Sequence, residues 1–179
     1  MVRDLTEGRP GQALALFSIP SLVSVVFQQL YNMADNVVAG QFIGDDALSA
    51  VSVSYPVTMI YMAVALGINI GCSVVISQLF GAKRMERMKT AVSTSLISTA
   101  ALALLLTVLG LIFCNPLLRL LNTPENIMGP TSQYLRIYTC GLLFIFIYNT
   151  CTGIFTALGD SRTPLYFLIA SSIANIILD

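Results

Sequence analysis

Five long stretches of this chain carry no charged side chain at all: residues 10–34, 47–82, 90–118, 137–159 and 163–178. Runs of this kind leave few folds open. In hydrocarbon a backbone N–H or C=O finds no water, so segments that cross a bilayer are helices or closed barrels. A helical crossing takes about 20 residues, and the first four runs reach that length. The second is longer than a crossing requires and must tilt or project beyond the lipid. The fifth stops at Asp179 with no polar loop after it, so the expectation is a fragment or truncated gene product whose fifth span would continue. The approximate spans are 12–38, 47–80, 89–118, 132–158 and 163–179 of one domain, 1–179.

Composition points the same way. The 179 residues are 56% hydrophobic and 10% charged, with a mean hydropathy of +0.81, whereas a soluble domain carries about 25% charged residues. The net charge is zero, which gives no reason to expect nucleic acid as a partner; the expected partner is the lipid bilayer. Arg3, Asp4, Glu7 and Arg9 lead directly into the first run, so the first span is expected to be retained rather than cleaved as a signal peptide. Cys72, Cys114, Cys140 and Cys151 show no CxxC spacing, and the chain has no histidine. Metal or redox chemistry by thiols is therefore not expected, and the cysteines read as small core residues.

Basic residues set an expected orientation. Arg3 and Arg9 precede the first span, Lys83, Arg84, Arg87 and Lys89 separate the second from the third, and Arg162 separates the fourth from the fifth. The other side holds Arg119 and Arg136, with Asp45 and Asp46 in its first loop. The positive-inside rule then places the N-terminus in the cytoplasm of a multi-pass protein of the plasma (inner) membrane.

Against this background two acids stand out. Asp35 and Asp179 close the first and fifth runs, where an ionised side chain costs roughly 2.5–3.5 kcal/mol at a helix centre. At 100° per residue, Ser21, Ser24, Gln28, Tyr31, Asn32 and Asp35 share an arc of about 100° on the first span. Such a stripe either knits helices together through hydrogen bonds or lines a cavity. Pro20 precedes the stripe and is expected to kink the helix, as a hinge or as a packing feature. On the fifth span Asn175 and Asp179 lie four apart on one face, with Ser171 and Ser172 a turn earlier. A carboxylate beside an amide oxygen offers hard ligands suited to Na⁺, and the carboxylate alone can hold a proton. If the two acids share a pocket, desolvation and mutual repulsion favour neutralisation by a cation or proton. Asp179 as an end-of-helix residue among headgroups is the plainer alternative. Asn149 in the fourth span either lines the cavity or bonds a neighbouring helix. In the turn Gly159-Asp160-Ser161-Arg162-Thr163-Pro164, Asp160 is expected to pair with Arg162 or to cap a helix.

Four stretches, in order, resemble one known family: Gln29-Leu-Tyr-Asn-Met-Ala-Asp35-Asn-Val-Val-Ala-Gly40, Ser77-Gln-Leu-Phe-Gly-Ala-Lys83, Ala157-Leu-Gly-Asp-Ser-Arg-Thr-Pro164 and Asn175-Ile-Ile-Leu-Asp179. Together they resemble the multidrug and toxic compound extrusion (MATE) family. The resemblance implies an all-α membrane protein, a partial N-terminal six-helix bundle (five spans seen) of a two-bundle, pseudo-symmetric twelve-helix transporter. It implies no enzyme activity, no organic cofactor, and Na⁺ or H⁺ as coupling ion for export of a small-molecule, drug-like, cationic or amphipathic substrate. Cation binding would fall to Asp35, Asn175 and Asp179, the cavity lining to Gln28, Tyr31, Asn32 and Asn149, and the bend to Pro20. The missing C-terminal bundle of the same polypeptide would be an obligatory partner. Related flippases for lipid-linked precursors handle anionic headgroups, for which the charge-free runs offer no cationic side chain. An intramembrane aspartyl protease would need a GxGD motif that neither acid has, and an inactive truncated membrane fragment is the remaining alternative.

Overall fold

The computed structural model describes residues 18–20, 22–30, 33 and 45–178, excluding the side chains of 45–47 and 176–178. The apolar runs fold as helices: α1 (Ser18–Leu30), α2 (Asp45–Gly81), α3 (Met85–Leu120), α4 (Glu125–Cys140), α5 (Leu142–Ala157) and α6 (Arg162–Leu178). Within α2, Leu48–Gly81 is long and apolar enough to cross a membrane, as is α3, and α4 with α5 passes the same test only when the two are taken together. At 1.5 Å per residue α2 and α3 are each about 55 Å long, against a hydrocarbon layer of about 30 Å. Both must therefore project or tilt, and α3 begins with the charged residues Glu86, Arg87 and Lys89.

The stretch read from sequence as one span over 132–158 is two helices meeting at Gly141 with a 46° bend. Absence of charge reports depth in lipid and says nothing about direction, so the bend left no mark on that signal. Polarity does change there. Exposed Glu125, Asn126, Gln133 and Arg136 ride on α4, whereas α5 begins Leu-Leu-Phe-Ile-Phe. At the joint the Gly141 N–H is shared between the carbonyls of Tyr138 (3.0 Å) and Ile137 (3.3 Å), the tightened turn expected where a helix ends. The Thr107 hydroxyl on α3 lies 3.3 Å from the Thr139 carbonyl.

Packing follows one rule along the bundle. Ala50, Ser54, Thr58, Tyr61, Ala65 and Ile76 are buried on α2, and Thr99, Ala103, Gly110, Cys114 and Leu118 on α3. Thr131, Leu135, Thr139, Leu142, Phe146, Thr150 and Gly153 continue the pattern through α4 and α5. Steps of four, four and three residues make an eleven-residue repeat: Ala50 to Tyr61, Ala103 to Cys114, Thr131 to Leu142. That period is 3.67 residues per turn, slightly more than a straight helix, and winds neighbours with a right-handed sense. The register passes through Gly141 unbroken, so the bent pair keeps one face on the core. On these faces α2 packs against α3, α4 and α5, α3 packs against α4 and α5, and α6 touches α5.

Small residues fill the seams because helices in lipid gain nothing by hiding apolar surface and adhere through close packing. A Cβ on Gly110 would run into the Tyr61 hydroxyl and come within 2.8 Å of Thr139 Cγ2. Buried hydroxyls bond back to their own helices: Ser54 to Ala50 O at 2.8 Å, Thr131 to Ile127 O at 2.7 Å, and Thr139 to Leu135 O at 2.7 Å. Among the described residues no buried side-chain nitrogen or oxygen lacks a partner. The outer surface is apolar, with Ile97 71% and Phe144 75% exposed, the reverse of a protein bathed in water.

Gly153 offers the sharpest test of this packing. A Cβ there would strike the Asn69 Oδ1 and approach Ser73 Oγ at 2.6 Å. Gly153→Ala should cost about 1–3 kcal/mol of stability, and adding Asn69→Ala should recover part of it. Thermal unfolding of the single and double variants in detergent measures both.

Candidate cation and substrate site

Of the residues expected to form the site, Tyr31, Asn32, Asp35 and Asp179 lie outside the described residues. The others can be placed. Gln28 is exposed on α1, while Pro20, Ser24 and Phe27 form its half-buried side. The Ser24 hydroxyl donates to the Pro20 carbonyl at 2.9 Å. On α6, Asn175 is half-buried, and Ser172, three residues before it, is 4% exposed. Ser171 is exposed and donates to Leu168 O at 2.9 Å, so the two serines point apart. Asn149 is half-buried on α5, with its amide donating to Ile145 O of the same helix at 2.8 Å.

A polar belt that the sequence reading passed over crosses the bundle near the far ends of α2 and α5. Ser73 donates to Asn69 O at 2.7 Å and to Asn69 Oδ1 at 3.2 Å, and both side chains abut Gly153 of α5. One turn back on α5, Thr150 reaches Thr99 of α3, oxygen to oxygen at 3.2 Å. The signal was available as Asn69 and Ser73 four residues apart within an apolar run. These groups are neutral, so the belt can hold helices together and exchange hydrogen bonds but cannot neutralise a cation. No cluster of three or more His, Cys, Asp or Glu suited to a metal occurs among the described residues.

Asp160 shows how this chain treats an acid that does have partners. It is 8% exposed, in the turn between α5 and α6. Its Oδ1 accepts from the Arg162 N–H at 3.0 Å and the Thr163 N–H at 3.1 Å, and its Oδ2 accepts from the Thr163 hydroxyl at 2.7 Å. Gly159, with φ 81°, supplies the left-handed residue that reverses the chain just before it. Asp160 thus caps α6, bonding the backbone of Arg162. Burial opposes its ionisation, yet the Thr163 hydroxyl and the two backbone donors outweigh that and hold its carboxyl below the usual range.

Charge gathers near the helix ends, with Arg136 three turns inside α4. The turns after α2 and α5 carry Lys83, Arg84, Arg87, Lys89, Asp160 and Arg162, and the opposite end carries Arg119 and Glu125. Long apolar helices in mutual contact, with small residues in their seams, few charges along their length and apolar side chains outward, define a multi-pass helical membrane protein. The MatE family model matches residues 20–179, and the chain belongs to this family, whose members are transporters. It is 38% identical over 167 residues to the probable multidrug resistance protein YoeA of Bacillus subtilis, covering 93% of this chain and 36% of that protein. An FAD transporter of Shewanella oneidensis is 28% identical over 169 residues, covering 94% of this chain and 37% of its own. The crystal structure of a MATE protein in complex with MaD3S superposes with a TM-score of 0.91 at 29% identity, covering 97% of this chain and 39% of that one. The chain therefore spans somewhat over a third of the length of the proteins it matches.

Because the folded-state pKa of Asp160 is depressed, its cap stabilises the fold above the ordinary aspartate pKa of about 3.9 and is lost as pH falls through the lowered value. Asp160→Ala should cost about 1–2 kcal/mol at neutral pH. The gap between variant and parent should close in acid, which unfolding at pH 7 and at pH 3 measures.

Proposed function

We propose that the intact protein is a cation-coupled antiporter that exports cationic or amphipathic compounds across the plasma membrane, with its N-terminus in the cytoplasm. What supports this, beyond family membership, is one imbalance: Asp35 and Asp179 border apolar runs that hold no lysine, arginine or histidine. A carboxylate in such a place finds no fixed counter-charge within its own run, so a mobile Na⁺ or H⁺ completes it. Asn175 adds an amide oxygen on the Asp179 face, and Gln28, Tyr31, Asn32 and Asn149 supply neutral polar lining. Pro20 lacks the N–H that would brace the preceding turn, which makes it the natural hinge of α1 in this reading.

Coupling then follows from differential affinity. A coupling ion that binds one conformation of α1 better than the other shifts the population toward it, and cargo that prefers the other conformation is released. Reciprocity requires that cargo weaken ion binding by the same factor. The FAD transporter among its relatives and the lipid-linked precursor flippases handle phosphate-bearing cargo. Such cargo would call for cationic lining, and none lies in these runs, which favours cationic or neutral compounds.

In the intact transporter, Asp35→Asn should abolish ion-driven efflux of a fluorescent organic cation from energised cells. Membrane insertion and amount of protein should stay at parental levels. Undiminished efflux from correctly inserted Asp35→Asn protein would remove the carboxylate from the mechanism.

A further inference from the structure

The turn between α2 and α3 gathers cations that the packing of the bundle does not use. Lys83, Arg84, Arg87 and Lys89 are all exposed, and among the described residues the one ion pair joins Lys89 Nζ to Glu86 Oε1 at 2.9 Å. Lys83, Arg84 and Arg87 keep their charge uncompensated. The backbone beneath them is fixed: Lys83 adopts a left-handed conformation with φ 54°, its N–H donates to Phe80 O at 2.9 Å, and the Arg84 N–H donates to Leu79 O at 3.0 Å. Arg84, Met85, Glu86 and Arg87 line a shallow depression on this surface. Two turns or more toward the bundle centre, α2 exposes Val74 and Val75, and α3 exposes Ile97. Between the depression and those apolar side chains lies a band of exposed Ser77, Gln78, Thr90, Ser93 and Thr94, so the surface grades from cations through neutral polar groups to apolar side chains, with Glu86 engaged by Lys89.

Positive charge above and apolar surface below is the complement of one molecule class: an anionic phospholipid, with a phosphate at the water boundary and acyl chains beneath it. Guanidinium groups suit this task because their planar forks bond phosphate oxygens in pairs. We propose that the α2–α3 turn is a binding site for an anionic phospholipid headgroup, with Lys83, Arg84 and Arg87 holding the phosphate and the acyl chains lying along α2 and α3. The site is independent of the cation and drug chemistry suggested above, since it lies in a turn at the end of the bundle.

The test measures lipid binding to the intact transporter in neutral detergent, by native mass spectrometry and by thermal stability. The probes are phosphatidylglycerol, phosphatidylcholine and inorganic phosphate. Phosphatidylglycerol should bind and raise the unfolding temperature, and phosphatidylcholine should do neither at equal concentration. Arg84→Gln should weaken phosphatidylglycerol binding by about fivefold, and the combined Lys83→Gln, Arg84→Gln, Arg87→Gln variant by about a hundredfold. Arg119→Gln at the opposite end should leave it unchanged. If the triple variant is not recovered folded, the Arg84→Gln affinity decides. Equal binding of phosphatidylcholine, undiminished binding in Arg84→Gln, or the same stabilisation by inorganic phosphate alone would each overturn the proposal.

Discussion

Everything in this bundle follows from the poverty of hydrocarbon as a solvent. Lipid offers no hydrogen bonds, so the backbone must satisfy itself inside each helix, and it offers no hydrophobic reward for bringing helices together. What remains is contact. That is why alanine, glycine, serine, threonine and cysteine interleave with a few large side chains such as Leu118, Leu135 and Phe146 on the buried faces, while many other large apolar side chains remain outside. It is also why buried hydroxyls such as Ser54 and Thr131 turn back to carbonyls of their own helix. A hydroxyl so placed fills a seam without leaving a polar atom unpaired.

Acids obey the same economy in two opposite ways. Asp160 lies where the chain reverses, and it is given a hydroxyl and two backbone donors, enough to keep it ionised despite burial. The acids that border the first and fifth apolar runs have no basic residue within those runs.

Much of this architecture was legible before any coordinate. Charge-free runs located α2, α3 and α6, and the turn expected over Gly159–Pro164 is where α5 gives way to α6. Helix limits were less legible. α2 begins at Asp45 and α3 at Met85 because a helix, once formed, propagates out of lipid into charged sequence until a turn stops it. Here the stops are left-handed residues, Lys83 and Asn122. The bend at Gly141 was invisible because hydropathy averages over direction. Side-chain partners were invisible too: no periodicity argument could show that Asn149 would bond Ile145 or that Ser171 and Ser172 would diverge. The Asn175 side of the expected site is placed, half-buried next to Ser172, while both carboxylates lie outside the described residues.

The eleven-residue spacing that runs from Thr131 through the bend to Gly153 makes chain length itself part of the packing. Losing a single residue within α5 would rotate each later side chain by about 100°, swinging Thr150 and Gly153 out among the acyl tails. Losing eleven would return every contact close to its original phase, one full repeat shorter. Length in such a bundle is therefore quantised: only changes of about eleven residues leave the buried face in place.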